Sequence, residues 1–149
     1  MQQIYQILQS YYNFQAAVLR SMAFESMSKA EFGRITGLYG NSKLRRQQNP
    51  DLWKPTEIYA FAVKLNLWDG VSRRLTNLAI SIANLPEPEK KPLLKAAMLT
   101  QDKLHERLQN PDSWQANELV KIKDWCRRAE VHFSGGQTTG TTASFRATY

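Results

Sequence analysis

The segment from Lys29 to Lys54 concentrates basic side chains, whose chemistry is the neutralisation of anionic groups such as phosphates. It contains six lysines and arginines against two acidic residues, a net charge of +4. The whole chain of 149 residues carries 20 basic and 13 acidic residues, a net charge of +7. This balance favours a polyanionic partner, either nucleic acid or an anionic membrane surface.

The residue types that carry catalysis or bind metals are few and poorly spaced. His105 and His132 are too far apart in sequence to form a metal-binding pair on one helix, and Cys126 has no CxxC partner. The Gly135-Gly136 pair is not followed by a helix that carries a lysine, so no phosphate-binding glycine loop is expected. We therefore expect no enzymatic activity, no metal and no cofactor.

Composition also limits the compartment and the class of protein. The hydrophobic fraction of 42% suffices for a packed core, and a single cysteine cannot form an internal disulfide. No apolar run is long enough to cross a bilayer, and the N-terminus has no basic region followed by an uninterrupted hydrophobic stretch. We expect a cytoplasmic protein that does not associate with membranes.

A short motif occurs twice in the chain. Asn49-Pro50-Asp51-Leu52-Trp53 reappears 61 residues later as Asn110-Pro111-Asp112-Ser113-Trp114. The same offset, carried on without gaps, aligns identical or similar residues at other positions. These pairs are Lys29 with Lys90, Phe32 with Leu93, Arg34 with Lys95, Leu38 with Leu99, Arg46 with Arg107, Gln48 with Gln109, Glu57 with Glu118 and Ile58 with Leu119. The sequence therefore predicts two tandem copies of one unit.

The apolar residues are spaced as in helices, and strand-like alternation is absent. Ile58, Phe61, Ala62 and Leu65 follow the i, i+3, i+4, i+7 pattern of a helix with one buried face. A long N-terminal helix is predicted from about Gln3 to Phe24 by the same spacing. The expected fold is all-α, with about four helices in each copy.

Start and stop signals divide the first copy into helices. Ser28 and a glutamate three residues later form a capping-box pattern that starts a helix at Lys29, and Gly37 can end it. A third helix would begin after Asn41 and stop before Asn49-Pro50, while Pro55 suits the first residue of a fourth. For the second copy, helices are predicted over about 70–85, 89–99, 101–109 and 115–130.

The segments Phe32 to Leu38 and Lys43 to Pro50, followed by Trp53 and Glu57-Ile58, resemble the lambda-repressor-like, or Cro-type, helix-turn-helix family. In the second copy, Arg107 to Trp114 with Glu118-Leu119 is similar to the same family. The resemblance covers roughly residues 28–67 and 89–129 and implies five-helix, repressor-like modules. Such modules place their third helix in the major groove of DNA.

Three segments are expected on this basis. Residues 1–68 form the first helix-turn-helix module with the long N-terminal helix, and residues 69–133 form the second module. Residues 134–149 form a tail rich in glycine, serine and threonine, which cannot bury enough surface to order itself.

Candidate binding residues follow from the way a recognition helix approaches DNA, because its N-terminal exposed residues reach base edges while flanking cations contact phosphates. Base contacts are predicted for Asn41, Ser42, Lys43 and Arg45, and phosphate contacts for Lys29, Arg34 and Lys54. A possible second set consists of Gln101, Lys103, His105 and Arg107.

The first copy is expected to be the better DNA reader. The candidate recognition helix of the second copy carries Asp102 and Glu106, which would face phosphates unfavourably. Residues shared by both copies are expected to maintain the fold: the tryptophans of the repeated motif should lie in the core. Arg46 and Arg107 either contact phosphate or pair internally with Glu57 and Glu118.

The sequence thus predicts a protein that binds double-stranded DNA, a transcriptional regulator of a prokaryote or phage. The alternative is a non-catalytic interaction or assembly protein of a phage or mobile-element complex that reuses the helix-turn-helix scaffold. That protein would bind its partner through the C-terminal tail or through the aromatic side chains of the N-terminal helix, which are Tyr5, Tyr11, Tyr12 and Phe14.

Overall fold

A computed structural model describes residues 2–23, 28–38, 42–68 and 73–140, with side chains for 2–22, 28–38, 44–68 and 73–129. Within these ranges the chain forms eight α-helices and no strands, which confirms the all-α prediction. The helices are α1 (Gln2–Ala23), α2 (Lys29–Thr36), α3 (Ser42–Gln48), α4 (Pro55–Lys64), α5 (Leu78–Ala83), α6 (Glu87–Ala96), α7 (Gln101–Gln109) and α8 (Ala116–Gly140). Two short 3-10 helices, Pro50–Leu52 and Pro111–Ser113, precede α4 and α8.

Local capping determines the helix ends in the first half of the chain. Ser28 accepts a hydrogen bond from the backbone N–H of Glu31 at 3.1 Å, and α2 begins at the predicted residue. Gly37 ends α2 with φ of 74°, a left-handed conformation that glycine adopts without steric cost. Pro55 is the first residue of α4, as predicted. The predicted N-cap of α3, Asn41, lies outside the described residues.

The starts of α5 and α6 differ from the predicted boundaries. Residues 74–77 form a turn, and α5 is limited to Leu78–Ala83, although a helix was predicted over about 70–85. The apolar spacing of Leu75, Leu78 and Ile82 fits a turn followed by a short helix as well as it fits one long helix, and all three are buried. Also, α6 begins at Glu87 rather than at about residue 89, because Pro88 is tolerated in a first helical turn.

The last helix extends into the first residues of the predicted tail. The backbone of α8 continues to Gly140, beyond the predicted end near residue 130. A helix that has already formed gains one hydrogen bond with each added residue, so it can propagate into a stretch of low helical propensity. Residues 141–149 lie outside the described part of the chain.

Both halves contribute to one hydrophobic core. Its largest fully buried side chains include Trp53 and Phe61 from the first half and Trp114 from the second. The burial of both tryptophans confirms their predicted role in the core. α1 packs against α4, α5 and α8, so the N-terminal helix contacts both halves.

Local geometry repeats at the 61-residue offset. The two 3-10 helices and the first residues of α4 and α8 are related by this offset. Gly37 and Met98 both have positive φ, of 74° and 55°, at the ends of α2 and α6. The contacts between the halves are reciprocal, since α4 touches the second 3-10 helix and α8 touches the first. Common ancestry of the two halves stays a prediction that this repetition favours.

Candidate nucleic-acid interface

The position of α3 is set by an ion pair between its last turn and the start of α4. Arg46 donates to Glu57 through Nε to Oε1 at 3.3 Å and through Nη2 to Oε2 at 3.4 Å. The same Oε1 accepts the backbone N–H of Lys54 at 2.9 Å. The sequence left open whether Arg46 contacts phosphate or pairs internally. Its guanidinium is bound to Glu57, so it pairs internally.

The rest of α3 makes few contacts with other elements. In the described part of the chain, its main neighbour is the 3-10 helix that follows it. Leu44 is 53% exposed, and Arg45, Gln47 and Gln48 are also exposed. The helix therefore presents most of its circumference to solvent, with Arg46 as its inward attachment.

The predicted cations of the first half are accessible. Arg45, Lys29, Arg34 and Lys54 are all exposed, and none forms an ion pair among the described residues. Unpaired cations at a surface retain their full charge for a polyanionic ligand. Ser42 and Lys43 belong to the first turn of α3, but their side chains lie outside the described residues, as does Asn41.

The structure brings some of these residues together and separates others. Lys54 and the last turn of α3 meet at Glu57, which binds both. Lys29 and Arg34 lie five positions apart on α2, which separates them by about 140° around the helix axis. One flat surface cannot be contacted equally by both, so only one of this pair is expected to flank α3.

The candidate set of the second half needs one correction. Arg107 is 5% exposed and forms two hydrogen bonds with Glu118, at 2.9 and 2.8 Å, so it is not available to DNA. It also lies 3.3 Å from Ser113 Oγ and 3.1 Å from Glu106. The hydrogen bonds that Arg107 donates to Glu118, together with the negative charges of Glu118 and Glu106, raise the pKa of Arg107 above its ordinary value. The alternative of internal pairing is confirmed for Arg107, as for Arg46.

The remaining candidates of the second half are on the surface. Gln101, Lys103 and His105 are exposed on α7. The exposed face of α7 also carries the two acidic residues noted in its sequence, and α7 packs against α5 as well as its own 3-10 helix. Compared with α3, α7 is less cationic and more firmly embedded.

The aromatic residues of α1 are mostly inside the fold. Tyr11 is fully buried, Phe14 is 8% exposed, and Tyr5 and Tyr12 are partly buried against the core. Tyr11 packs edge-on against Tyr59 of α4, with the ring centroids 6.5 Å apart. These side chains are therefore used for packing, and they give no support to the alternative of an assembly protein.

Two ion pairs made by the repeated motif were not predicted from the sequence, and one of them joins the two halves while the other lies within the second half. Asp51 of the first 3-10 helix lies 3.8 Å from Lys123 of α8, and Asp112 of the second lies 3.5 Å from Arg73. The two aspartates occupy equivalent positions of the repeated motif. The motif can be recognised in the sequence. However, Lys123 and Arg73 lie at different sequence separations from their aspartates, so the spacing of residues does not predict these ion pairs.

Other classes of site are not evident in the described residues. They contain no group of three or more histidine, cysteine, aspartate or glutamate side chains that could hold a metal ion. The described helices include none that is both long and apolar enough to span a membrane. No family model, curated protein or solved structure matches this chain. The resemblance to the Cro-type family therefore stays a prediction.

Proposed function

We propose that this protein binds double-stranded DNA by inserting α3 into the major groove. The observation that carries the proposal is that α3 is attached at Arg46 while its other described side chains, from Leu44 to Gln48, are exposed. The major groove is about 12 Å wide, and a helix with its side chains is about 10–12 Å across. A helix held on one side alone can therefore enter the groove without rearrangement of the fold.

The distribution of charge supports the proposal. Arg45 and Lys54 are exposed beside the attachment of α3, and neither is neutralised by an acidic side chain among the described residues. Each phosphate that such a cation neutralises releases condensed counterions, which favours binding at low salt. The net charge of +7 adds a general attraction to nucleic acid.

The two halves are proposed to have different roles. The exposed acidic residues of α7 would repel phosphates, so α3 is the proposed recognition helix. The second half would support it indirectly, through the contact of α8 with the 3-10 helix that follows α3. The proposal extends to a regulatory role in transcription in a prokaryote or phage, which a sequence-specific binder of this size could perform. The reciprocal contacts between the halves favour descent from a linked pair of helix-turn-helix units.

Equilibrium binding to duplex DNA tests the proposal. We expect Arg45→Gln to weaken binding to a random-sequence duplex pool, measured by fluorescence anisotropy at low salt, because it removes an exposed cation of α3. Lys103→Gln is the matched control, since it removes an exposed cation from α7. Absence of binding by the unmodified protein, or equal effects of the two variants, would contradict the proposal.

A further inference from the structure

The attachment of α3 determines which of its residues face outward. An α-helix turns by about 100° per residue, so residues two positions away from Arg46 lie about 160° around the axis from it. Those residues are Leu44 and Gln48, one on each side of the direction opposite Arg46. Arg45 lies only about 100° from Arg46, toward the side of the helix. The outward centre of α3 is therefore formed by one apolar and one carboxamide side chain.

The exposure of these two residues agrees with the geometry. Leu44 is 53% exposed, although an apolar side chain gains nothing from solvent contact. Gln48 is exposed, and no described residue forms a hydrogen bond with its carboxamide. Among the described residues, both groups thus have no partner, and they are available to a ligand that enters along this face.

We infer that Leu44 and Gln48 read an A·T-containing step in the major groove. A glutamine carboxamide offers the acceptor and donor that match N6 and N7 of adenine, and an apolar side chain contacts the 5-methyl group of thymine. Four residues of helix span about 6 Å along the axis, and base pairs are stacked about 3.4 Å apart, so the two side chains contact base pairs one or two steps apart. Arg45, at the side of the helix, contacts a phosphate of the groove wall.

This inference rests on the proposed function and makes it more specific. It moves the centre of base recognition from the first turn of α3 to its outward face. The second half provides an internal comparison, because the equivalent positions 61 residues later are His105 and Gln109 on α7. There the two side chains are joined by a hydrogen bond of 3.0 Å, so the carboxamide already has a partner within the protein.

Selection from a random duplex library, with the full chain, tests the inference. We expect the unmodified protein to enrich A·T pairs that are one or two steps apart. Gln48→Ala should weaken binding to the enriched duplex by roughly 5-fold or more and remove the preference at the adenine position. Leu44→Ala should remove the preference at the thymine position. His105→Ala and Gln109→Ala are the matched controls and should leave the enriched motif unchanged.

A second variant tests the same contact by a change of preference rather than a loss. Glutamate accepts a hydrogen bond from N4 of cytosine, so Gln48→Glu should shift the preferred base at that position from adenine to cytosine. An enriched motif that survives both Leu44→Ala and Gln48→Ala, or that contains no A·T pair, would overturn the inference while leaving DNA binding intact. Failure of the unmodified protein to bind any duplex would overturn the proposed function and, with it, the inference.

Discussion

Arg107 and Glu118 form a bidentate ion pair, in which the two hydrogen bonds are short, 2.9 and 2.8 Å, and both side chains are almost fully buried. The equivalent pair of Arg46 and Glu57 is longer, at 3.3 and 3.4 Å, and its arginine side chain is 14% exposed. Planar guanidinium and carboxylate groups match each other in this geometry, which fixes orientation as well as distance. The same connection therefore attaches α7 and α3 to the helices that follow them, more firmly in the second half.

The first prediction concerns the free energy of unfolding. Arg107→Ala should lower it by about 3–5 kcal/mol, because the Glu118 carboxylate is left buried without its cation. Arg46→Ala should cost less, about 1–3 kcal/mol, since its bonds are longer and partly exposed. Urea unfolding followed by circular dichroism measures both values.

Two variants make this measurement specific to the buried pair. Arg45→Ala, next to Arg46 but exposed and unpaired, should change stability by no more than about 0.5 kcal/mol. Replacing both members of the buried pair, Arg107→Met with Glu118→Met, should recover much of the loss because no uncompensated charge remains. Equal costs for Arg107→Ala and Arg45→Ala would refute the assigned role of the pair.

The second prediction concerns the salt dependence of DNA binding. The logarithm of the binding constant should fall linearly with the logarithm of salt concentration, with a slope of about −0.9 for each phosphate neutralised. Replacing Lys43 and Arg45 together by alanine should reduce the slope by up to about 1.8 and weaken binding. Replacing Lys103 and His105 on α7 should have a smaller effect. Titrations at several salt concentrations compare the two, and a salt-insensitive complex would exclude the proposed contacts.

The sequence was sufficient to predict what depends on neighbouring residues. Ser28, Gly37 and Pro55 mark helix ends through bonds or dihedral angles within one turn, and these three boundaries agree with the structure. The repeated motif likewise contains its own local bonds, such as that from the Asp51 N–H to Asn49 Oδ1 at 3.2 Å. Burial of Trp53 follows from its place in a motif shared by both halves.

The features that were missed depend on distant contacts. The sequence contains Arg45 and Arg46 side by side, and spacing alone could not say which one points inward; the bond to Glu57 decides it. The outward position of Leu44 and Gln48 follows from the inward direction of Arg46. It could not be predicted from the sequence, where that direction is unknown. The continuation of α8 past Ser134 depends on propagation from a helix that has already formed, which the composition of the segment does not indicate.

The third prediction concerns a buried hydroxyl group. Tyr11 is fully buried, and its hydroxyl has no hydrogen-bond partner among the described residues. A buried polar group without a partner loses its hydrogen bonds to water and forms none within the protein. Tyr11→Phe should therefore leave the free energy of unfolding unchanged or raise it by up to about 1 kcal/mol. Urea unfolding at neutral pH measures this, and a loss of more than about 1 kcal/mol would indicate a bond that the hydroxyl makes in solution.

The same residue predicts a sensitivity to alkaline pH. Burial raises the pKa of Tyr11 well above its ordinary value of 10.0, so near that pH only the unfolded chain can ionise this hydroxyl. This difference in ionisation therefore leaves stability unaffected below pH 10 and lowers it as the pH rises further, because the unfolded chain is then stabilised by ionisation. The free energy of unfolding should fall less between neutral pH and about pH 11 in Tyr11→Phe than in the unmodified protein. Identical pH profiles would show that Tyr11 ionises equally in both states.

The fourth prediction uses the two equivalent helix ends at Gly37 and Met98. The left-handed conformation costs a residue with a side chain about 1–2 kcal/mol. Met98 adopts this conformation, with φ of 55°, and its side chain is 67% exposed. Met98→Gly should therefore raise the free energy of unfolding by up to about 1 kcal/mol, after the greater entropy of glycine in the unfolded chain is subtracted. A Cβ added at Gly37 meets no atom of the described residues within 4 Å, so Gly37→Ala tests the conformational cost. It should lower stability by about 1 kcal/mol, and changes of the same sign in the two variants would contradict the shared left-handed ending of α2 and α6.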